Sequence, residues 1–150
     1  MIRNIFYVFV TFVLSFYVNA EENLISLQSH YSAKETADRF ESILKDKGLT
    51  LFARIDHQQN AATVNLPLRP TEVIIFGNPK IGTLLMHCAQ NVAIDLPQKV
   101  LITEDADKKV WLSYNNPNYI KKRHNIVGCE KVTNKIAIVL NKLGIGATSK

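Results

Sequence analysis

The sequence lacks the spacings that mark the common catalytic and metal-binding motifs. Its 150 residues include only two cysteines and four histidines. These form no Cys-x-x-Cys or His-x-x-x-His pair, which disfavours a zinc module. No Gly-x-Ser-x-Gly segment is present, so the nucleophile elbow of an α/β-hydrolase is excluded. Motif spacing therefore identifies no cofactor, no set of metal ligands and no reaction for this sequence.

The chain also has no strong excess of charge of one sign. It carries 18 basic and 13 acidic residues, for a formal net charge of +5 at pH 7. The basic residues are scattered, apart from residues 121–123 and the series Lys131, Lys135 and Lys142. Because no aromatic residues alternate with them, nucleic acid is disfavoured as a partner. A solvated helix face accounts for most of these lysines.

The apolar run within residues 1–20 is shorter than a transmembrane helix, which needs roughly 20 apolar residues. Arg3 precedes the run and Ala20 ends a small-residue cleavage pattern, so the segment predicts a signal peptide cleaved after Ala20. An uncleaved anchor is disfavoured, because Glu21 and Glu22 follow at once. We therefore expect residues 21–150 to form a single domain without a stable membrane anchor, located in the periplasm or secreted.

The two cysteines, Cys88 and Cys129, both follow this predicted signal. In an oxidising compartment an even pair favours a disulfide. The alternative is two buried thiols that behave as small hydrophobic side chains. The residues alone leave both readings open.

Apolar periodicity and capping residues predict an α+β domain. Ser32 and Glu35 form a capping box that begins a helix, and Gly48 ends it in the left-handed conformation. A second long amphipathic helix is predicted for residues 129–143, ending at Gly144. Further strands are predicted at 24–28, 49–55, 72–76, 100–103 and 110–114, and short helices at 58–65, 82–88 and 117–124. Because the last two strands form a hairpin, we expect a two-layer sandwich with helices packed on a largely antiparallel sheet, rather than a doubly wound parallel sheet.

The segment Phe76-Gly77-Asn78-Pro79 lies between a predicted strand and a predicted helix. Backbone amides at such a helix N-terminus are free to bind anions or carbonyl oxygens. We favour the simpler interpretation, in which Asn78 hydrogen-bonds to its own local backbone in a tight connection.

Several ionisable residues are candidates for acid–base chemistry. Asp56 and His57 follow a strand, although adjacent strand residues point to opposite faces. Asp95 lies between two apolar residues, so it either pairs with a cation, such as Arg69 or Arg123, or has a raised pKa. A structural ion pair or a turn cap explains Asp95 equally well.

A metal site is disfavoured. Met86, His87 and Cys88 together offer ligands that suit Cu(I). Consecutive helical residues are rotated by about 100° each, however, so they do not all face one ion. No spacing favours a metal held by His57, His87 or His124. Cys88 as a nucleophile would need a nearby histidine and a lowered pKa.

A longer pattern identifies relatives without identifying a reaction. Its central stretch comprises Arg69-Pro70-Thr71-Glu72, Phe76-Gly77-Asn78-Pro79, Leu85-Met86, Asp95-Leu96-Pro97 and Glu104-Asp105. The pattern also includes Asp56-His57 before this stretch, and Trp111, Ser113-Tyr114-Asn115, Pro117 and Arg123-His124 after it. In order and spacing this pattern resembles the domain of unknown function 302 family over almost the whole predicted mature chain. The resemblance implies a compact α+β domain that self-associates as a dimer, with no assigned activity, cofactor or catalytic residue. Cys88 and Cys129 depart from the pattern, which favours a disulfide acquired with export.

Eight polar or special residues within this pattern are the candidate site. They are Asp56, His57, Asn78, Asp95, Glu104, Tyr114, Arg123 and His124. We expect them at or just beyond strand ends, where they could share a cleft. A small-molecule binding module, with the cleft at strand ends or a dimer interface, is the favoured hypothesis, because no complete nucleophile and base is visible. An enzyme with a histidine and carboxylate acid–base pair, or a purely structural interaction domain, are the alternatives.

Overall fold

A computed structural model describes residues 23–150, so the predicted signal peptide, residues 1–20, lies outside the described residues. The elements in chain order are β1 (Leu24–Ser29), α1 (Ala33–Asp46), β2 (Thr50–Asp56), α2 (His57–Thr63), β3 (Thr71–Gly77), α3 (Pro79–Cys88), a 3₁₀ helix (Gln90–Asp95), β4 (Gln98–Glu104), β5 (Val110–Asn115), α4 (Pro117–Arg123) and α5 (Glu130–Thr148).

The five strands form one sheet in the order β1-β5-β4-β3-β2, and every neighbouring pair is antiparallel. The hairpin of β4 and β5 lies at its centre, with Ile102 opposite Leu112. The prediction of an α+β fold with an antiparallel sheet is therefore confirmed, and the doubly wound parallel alternative is wrong.

The helices α1 and α5 pack on each other and on the same face of this sheet. Because strand residues alternate between faces, every second residue of β3, β4 and β5 points into this core. The ring of Phe40 on α1 meets the ring of Phe76 on β3 edge-to-face, with 5.1 Å between centroids. Leu143 on α5 packs into the same core.

The boundaries of α1 follow from local chemistry. The Ser32 hydroxyl accepts a hydrogen bond from the backbone N–H of Glu35 at 3.2 Å, which satisfies one free donor at the helix N-terminus. At the other end, Gly48 has a φ of +63°, a conformation that glycine adopts without steric cost. Both features were predicted.

The predicted end of the last helix at Gly144 is wrong, because α5 continues to Thr148. Gly144 is buried, and a Cβ atom there would lie 2.6 Å from Cδ1 of Leu27 on β1. It would also come within 3.5 Å of the Tyr114 ring. The glycine therefore permits close approach of α5 to the sheet instead of ending the helix.

The outer face of the sheet carries apolar residues that are half-buried. They include Val73 and Ile75 on β3, Leu101 on β4 and Trp111 on β5. The indole N–H of Trp111 donates to the carboxylate of Asp105 at 2.8 Å, and this hydrogen bond lowers the pKa of Asp105. The centre of this face is therefore an apolar surface that neither α1 nor α5 covers.

Candidate functional site

The structure brings together three of the eight predicted site residues. The imidazole Nε2 of His124 lies 2.5 Å from Oδ2 of Asp95, and Nη1 of Arg123 lies 3.4 Å from Oδ1 of the same carboxylate. Arg123 is thus the cation beside Asp95, while Arg69 donates to the backbone carbonyl of Glu104 at 3.1 Å. These contacts join the end of the 3₁₀ helix to the end of α4.

The Asp95–His124 pair is better suited to holding these helices together than to acid–base catalysis. The side chains of His124 and Asp95 are only 5% and 14% exposed. Both carboxylate oxygens of Asp95 are already engaged, one by the Arg123 guanidinium and the other by the His124 imidazole. Among residues 23–150, no hydroxyl or thiol hydrogen-bonds to His124 as a nucleophile would.

The other five predicted residues take separate positions. Asp56 caps α2 by accepting from the backbone N–H of Gln59 at 2.9 Å, and His57 begins that helix. Glu104 ends β4. Tyr114 faces the core, where burial raises its pKa. None of these side chains bonds to the Asp95 group within the described residues.

The fifth residue, Asn78, caps α3. Its side-chain oxygen accepts from the backbone N–H of Lys80 at 3.0 Å and of Ile81 at 3.4 Å. This is the local backbone bonding that the sequence favours, and the proline at the first helical position suits the same cap.

Cys88 and Cys129 form a disulfide, with 6.3 Å between their Cα atoms. The bond connects the last residue of α3 to the residue that precedes α5. Of the two readings that the sequence left open, the disulfide is confirmed. Since disulfide sulfurs neither titrate nor bind metals as thiolates, neither cysteine serves as a nucleophile in this state.

An apolar cavity lies between α3, α5 and the adjoining ends of β3 and β4. Its volume is about 710 Å³. The walls are formed by apolar side chains that include Phe52, Met86, Leu96, Ile136 and Val139. Of the eight predicted residues, only Asn78 lines it. The Phe76-Gly77-Asn78-Pro79 turn is the sequence signal that points to this cavity. For the opposing wall, on α5, the sequence predicts only an amphipathic helix.

The cavity has few polar groups, and its charged groups are all positive. Lys80 on α3 and Lys135 on α5 are part of the lining, and no aspartate or glutamate is. A cavity with apolar walls and a small number of polar groups is typical of a small-molecule site.

A second, more open depression lies between α1 and β2, with a volume of about 640 Å³. It surrounds Arg54, which the sequence did not single out. The guanidinium contacts Glu72 at 2.5 Å, Glu41 at 2.8 Å and Asp38 at 2.9 Å. These hydrogen bonds, led by the one to Glu72, raise the pKa of Arg54 against the opposing effect of burial. The cluster ties α1 to the edge of the sheet.

Within the part of the chain that the structure describes, two features would bear on function: a cluster of metal-ligating side chains and a membrane-spanning helix. No three histidine, cysteine, aspartate or glutamate side chains within residues 23–150 are arranged to hold a metal ion. Over the same residues, no helix combines the length and the apolar character needed to cross a bilayer.

The sequence profile of the family described as "Domain of unknown function DUF302" matches residues 25–143. The crystal structure of an uncharacterized conserved DUF302 protein from Bacillus stearothermophilus superposes with a TM-score of 0.76, covering 84% of this chain and 98% of that one. At 15% sequence identity, this likeness shows a shared fold.

Curated relatives from Brucella match over 130 residues at 36% identity, which is 87% of this chain. They are the fluoride-specific ion channel FluC 1 of Brucella suis, of which 50% is covered, and FluC 1 of Brucella abortus, of which 47% is covered. The chain therefore spans about half the length of these relatives.

The disulfide generates a stability prediction. Replacing both Cys88 and Cys129 by serine should lower the free energy of unfolding by about 2–4 kcal/mol, because the 41-residue separation is no longer closed in the unfolded chain. Urea denaturation with and without dithiothreitol measures this. The reductant should destabilise the wild-type protein by a similar amount and leave the double variant unchanged. Equal stability of the two oxidised proteins would contradict the prediction.

Proposed function

The chain belongs to the family described as domain of unknown function DUF302, and we propose that it is a ligand-binding module whose small-molecule ligand occupies the cavity between α3 and α5. The observation that carries this proposal is the cavity of about 710 Å³ with apolar walls. Its volume falls within the range of about 300–1,000 Å³ that small-molecule sites occupy.

A glycine in the cavity wall supports the proposal. Gly82 lies inside α3, where glycine destabilises a helix by roughly 0.5–1 kcal/mol relative to alanine. Packing within the protein does not require it, since an added Cβ would meet only Cδ1 of Leu96, at 3.8 Å. The missing side chain instead leaves space in the cavity for a ligand.

The disulfide supports the same proposal. Cys88 and Cys129 fasten α3 to the start of α5, and these two helices supply opposite parts of the cavity lining. A fixed separation of the helices keeps the cavity open without a ligand. Binding to such a preorganised site avoids the cost of ordering its walls.

The neutral apolar fluorophore N-phenyl-1-naphthylamine tests this function. We expect saturable binding of one molecule per chain, because the cavity removes the probe from water. Gly82→Leu should weaken binding at least tenfold, since the new side chain fills the space beside Leu96. The matched control Asn141→Leu, on α5 outside the cavity lining, should bind as the wild type does. Probe binding that is absent, or unchanged in Gly82→Leu, would contradict the proposal.

The Brucella relatives favour a second candidate function, as an accessory domain of a fluoride channel. About half of each relative matches this chain, and those proteins are named fluoride-specific ion channels. A channel must cross the membrane, yet residues 23–150 contain no helix able to do so. We propose that the matched part is an extramembrane domain, and that this chain acts beside such a channel as an exported partner.

Fluoride resistance of the native host tests the accessory function. Deleting the gene should change the minimal inhibitory concentration of sodium fluoride at least twofold, because a channel without its accessory domain would export fluoride differently. Sodium chloride at the same concentrations is the control. Identical fluoride resistance in the deletion strain and its parent would exclude this second function.

We also propose that the outer face of the sheet is the interface of a homodimer. Leu101 lies at its centre, opposite Val73 on β3 and Ser113 on β5. Half-buried apolar residues on a sheet face that neither α1 nor α5 covers gain free energy when a second copy excludes water from them.

Sedimentation velocity tests this interface. The wild-type protein should be a dimer at micromolar concentration, and Leu101→Glu should be a monomer, because a carboxylate would be buried without a partner. Ile94→Glu is the matched control, since Ile94 is 73% exposed on the 3₁₀ helix. A wild-type monomer, or a Leu101→Glu dimer of equal affinity, would contradict the assignment.

A further inference from the structure

We propose that the cavity selects an anionic amphiphile, a molecule with a single negatively charged head and an aliphatic tail. This inference rests on the proposed ligand-binding function and adds the chemical class of the ligand. It follows from the distribution of charge around the cavity, whose lining contains Lys80 and Lys135 and no acidic residue.

Both lysines are exposed residues in the lining of the cavity. Neither side chain forms an ion pair or hydrogen bond with any of residues 23–150. Lys80 also lies in the first turn of α3, which contains no acidic residue. A cation at a helix N-terminus is unfavourable, because that end of the helix dipole is positive. An anion bound between the two helices would compensate the charges of both lysines and offset the unfavourable position of Lys80.

The head group would bind to the lysine ammonium groups and not to the backbone amides at the start of α3. The backbone N–H groups of Lys80 and Ile81 already donate to the side chain of Asn78. An ammonium group is a compact charge on a flexible stem. We therefore expect the site to accept carboxylate, phosphate or sulfonate heads, and to discriminate by charge more than by geometry.

The rest of the cavity suits a flexible hydrocarbon chain. Leu96, Ile136 and Val139 offer aliphatic surface, and the Met86 side chain adapts to an irregular apolar neighbour. No polar side chain other than Asn78, Lys80, Thr83, Gln98 and Lys135 lines the cavity. Both a free fatty-acid-like anion and the anionic lipid of a membrane carry this chemistry.

Three amphiphiles with a ten-carbon chain and different head-group charges distinguish selection of an anion from simple apolar binding. Decanoate, decanol and decyltrimethylammonium are titrated below their micellar concentrations against protein loaded with N-phenyl-1-naphthylamine. Decanoate should displace the probe at a concentration at least tenfold lower than the cation does, with decanol between them. Octanoate should bind about 15-fold more weakly than decanoate, since each buried methylene contributes about 0.8 kcal/mol, or about fourfold.

Single lysine variants test the source of the selectivity. Lys80→Gln and Lys135→Gln should each weaken decanoate binding about two- to fivefold, which is the range expected for a solvent-exposed ion pair. Decanol binding should not change. Lys142→Gln, which removes a charge from α5 outside the cavity lining, is the matched control and should behave as the wild type does.

The outcomes distinguish the two levels of the proposal. Equal binding of decanoate and decanol, or glutamine variants that bind decanoate normally, would overturn the anion inference while the ligand-binding function stands. If none of the three amphiphiles and not even the neutral probe binds, the ligand-binding function itself is overturned. Co-sedimentation with phosphatidylglycerol vesicles, lost in Lys80→Gln and Lys135→Gln and seen without decanoate binding, would assign the anionic head to a membrane lipid.

Discussion

The docking of α5 against the sheet determines where the rest of the structure lies. Gly144 allows this helix to approach β1 closely, and Leu143 joins the core between the helices and the sheet. About two turns before Leu143 on the same helix, Ile136 packs against both this core and the second apolar cluster, which contains Leu85 and Val92. The cavity opens where these two clusters meet along α5. A shift of α5 would therefore change the cavity as well as the core.

The charges of the protein are used in two contrasting ways. Arg54 is surrounded by three carboxylates, so its charge is compensated within the protein and helps to hold α1 on the sheet edge. Lys80 and Lys135 line an apolar cavity and have no such partner within residues 23–150. This cavity therefore combines accessible apolar surface with uncompensated positive charge, the two features from which the proposed ligand would gain on binding.

Local signals explain what the sequence predicted correctly. Caps such as Ser32 and Asn78 act within a few residues, and the strand alternation of the sheet is equally local. What the sequence did not specify depends on neighbours that are distant along the chain. From the sequence, Gly144 is expected to end the helix. The fold instead places Leu27 against it, where no side chain fits. Asp95 and His124 are 29 positions apart, and Tyr114 belongs to the core. The cavity depends on the separation of α3 from α5, which periodicity does not specify.

The two candidate functions make different chemical demands and can occupy different surfaces. Fluoride is a small, strongly hydrated anion, and removing it from water requires several hydrogen-bond donors or a metal. The cavity instead offers apolar walls and two flexible ammonium groups. A role beside a fluoride channel would therefore not consist of holding fluoride in this cavity. It would rest on contact between the domain and the channel.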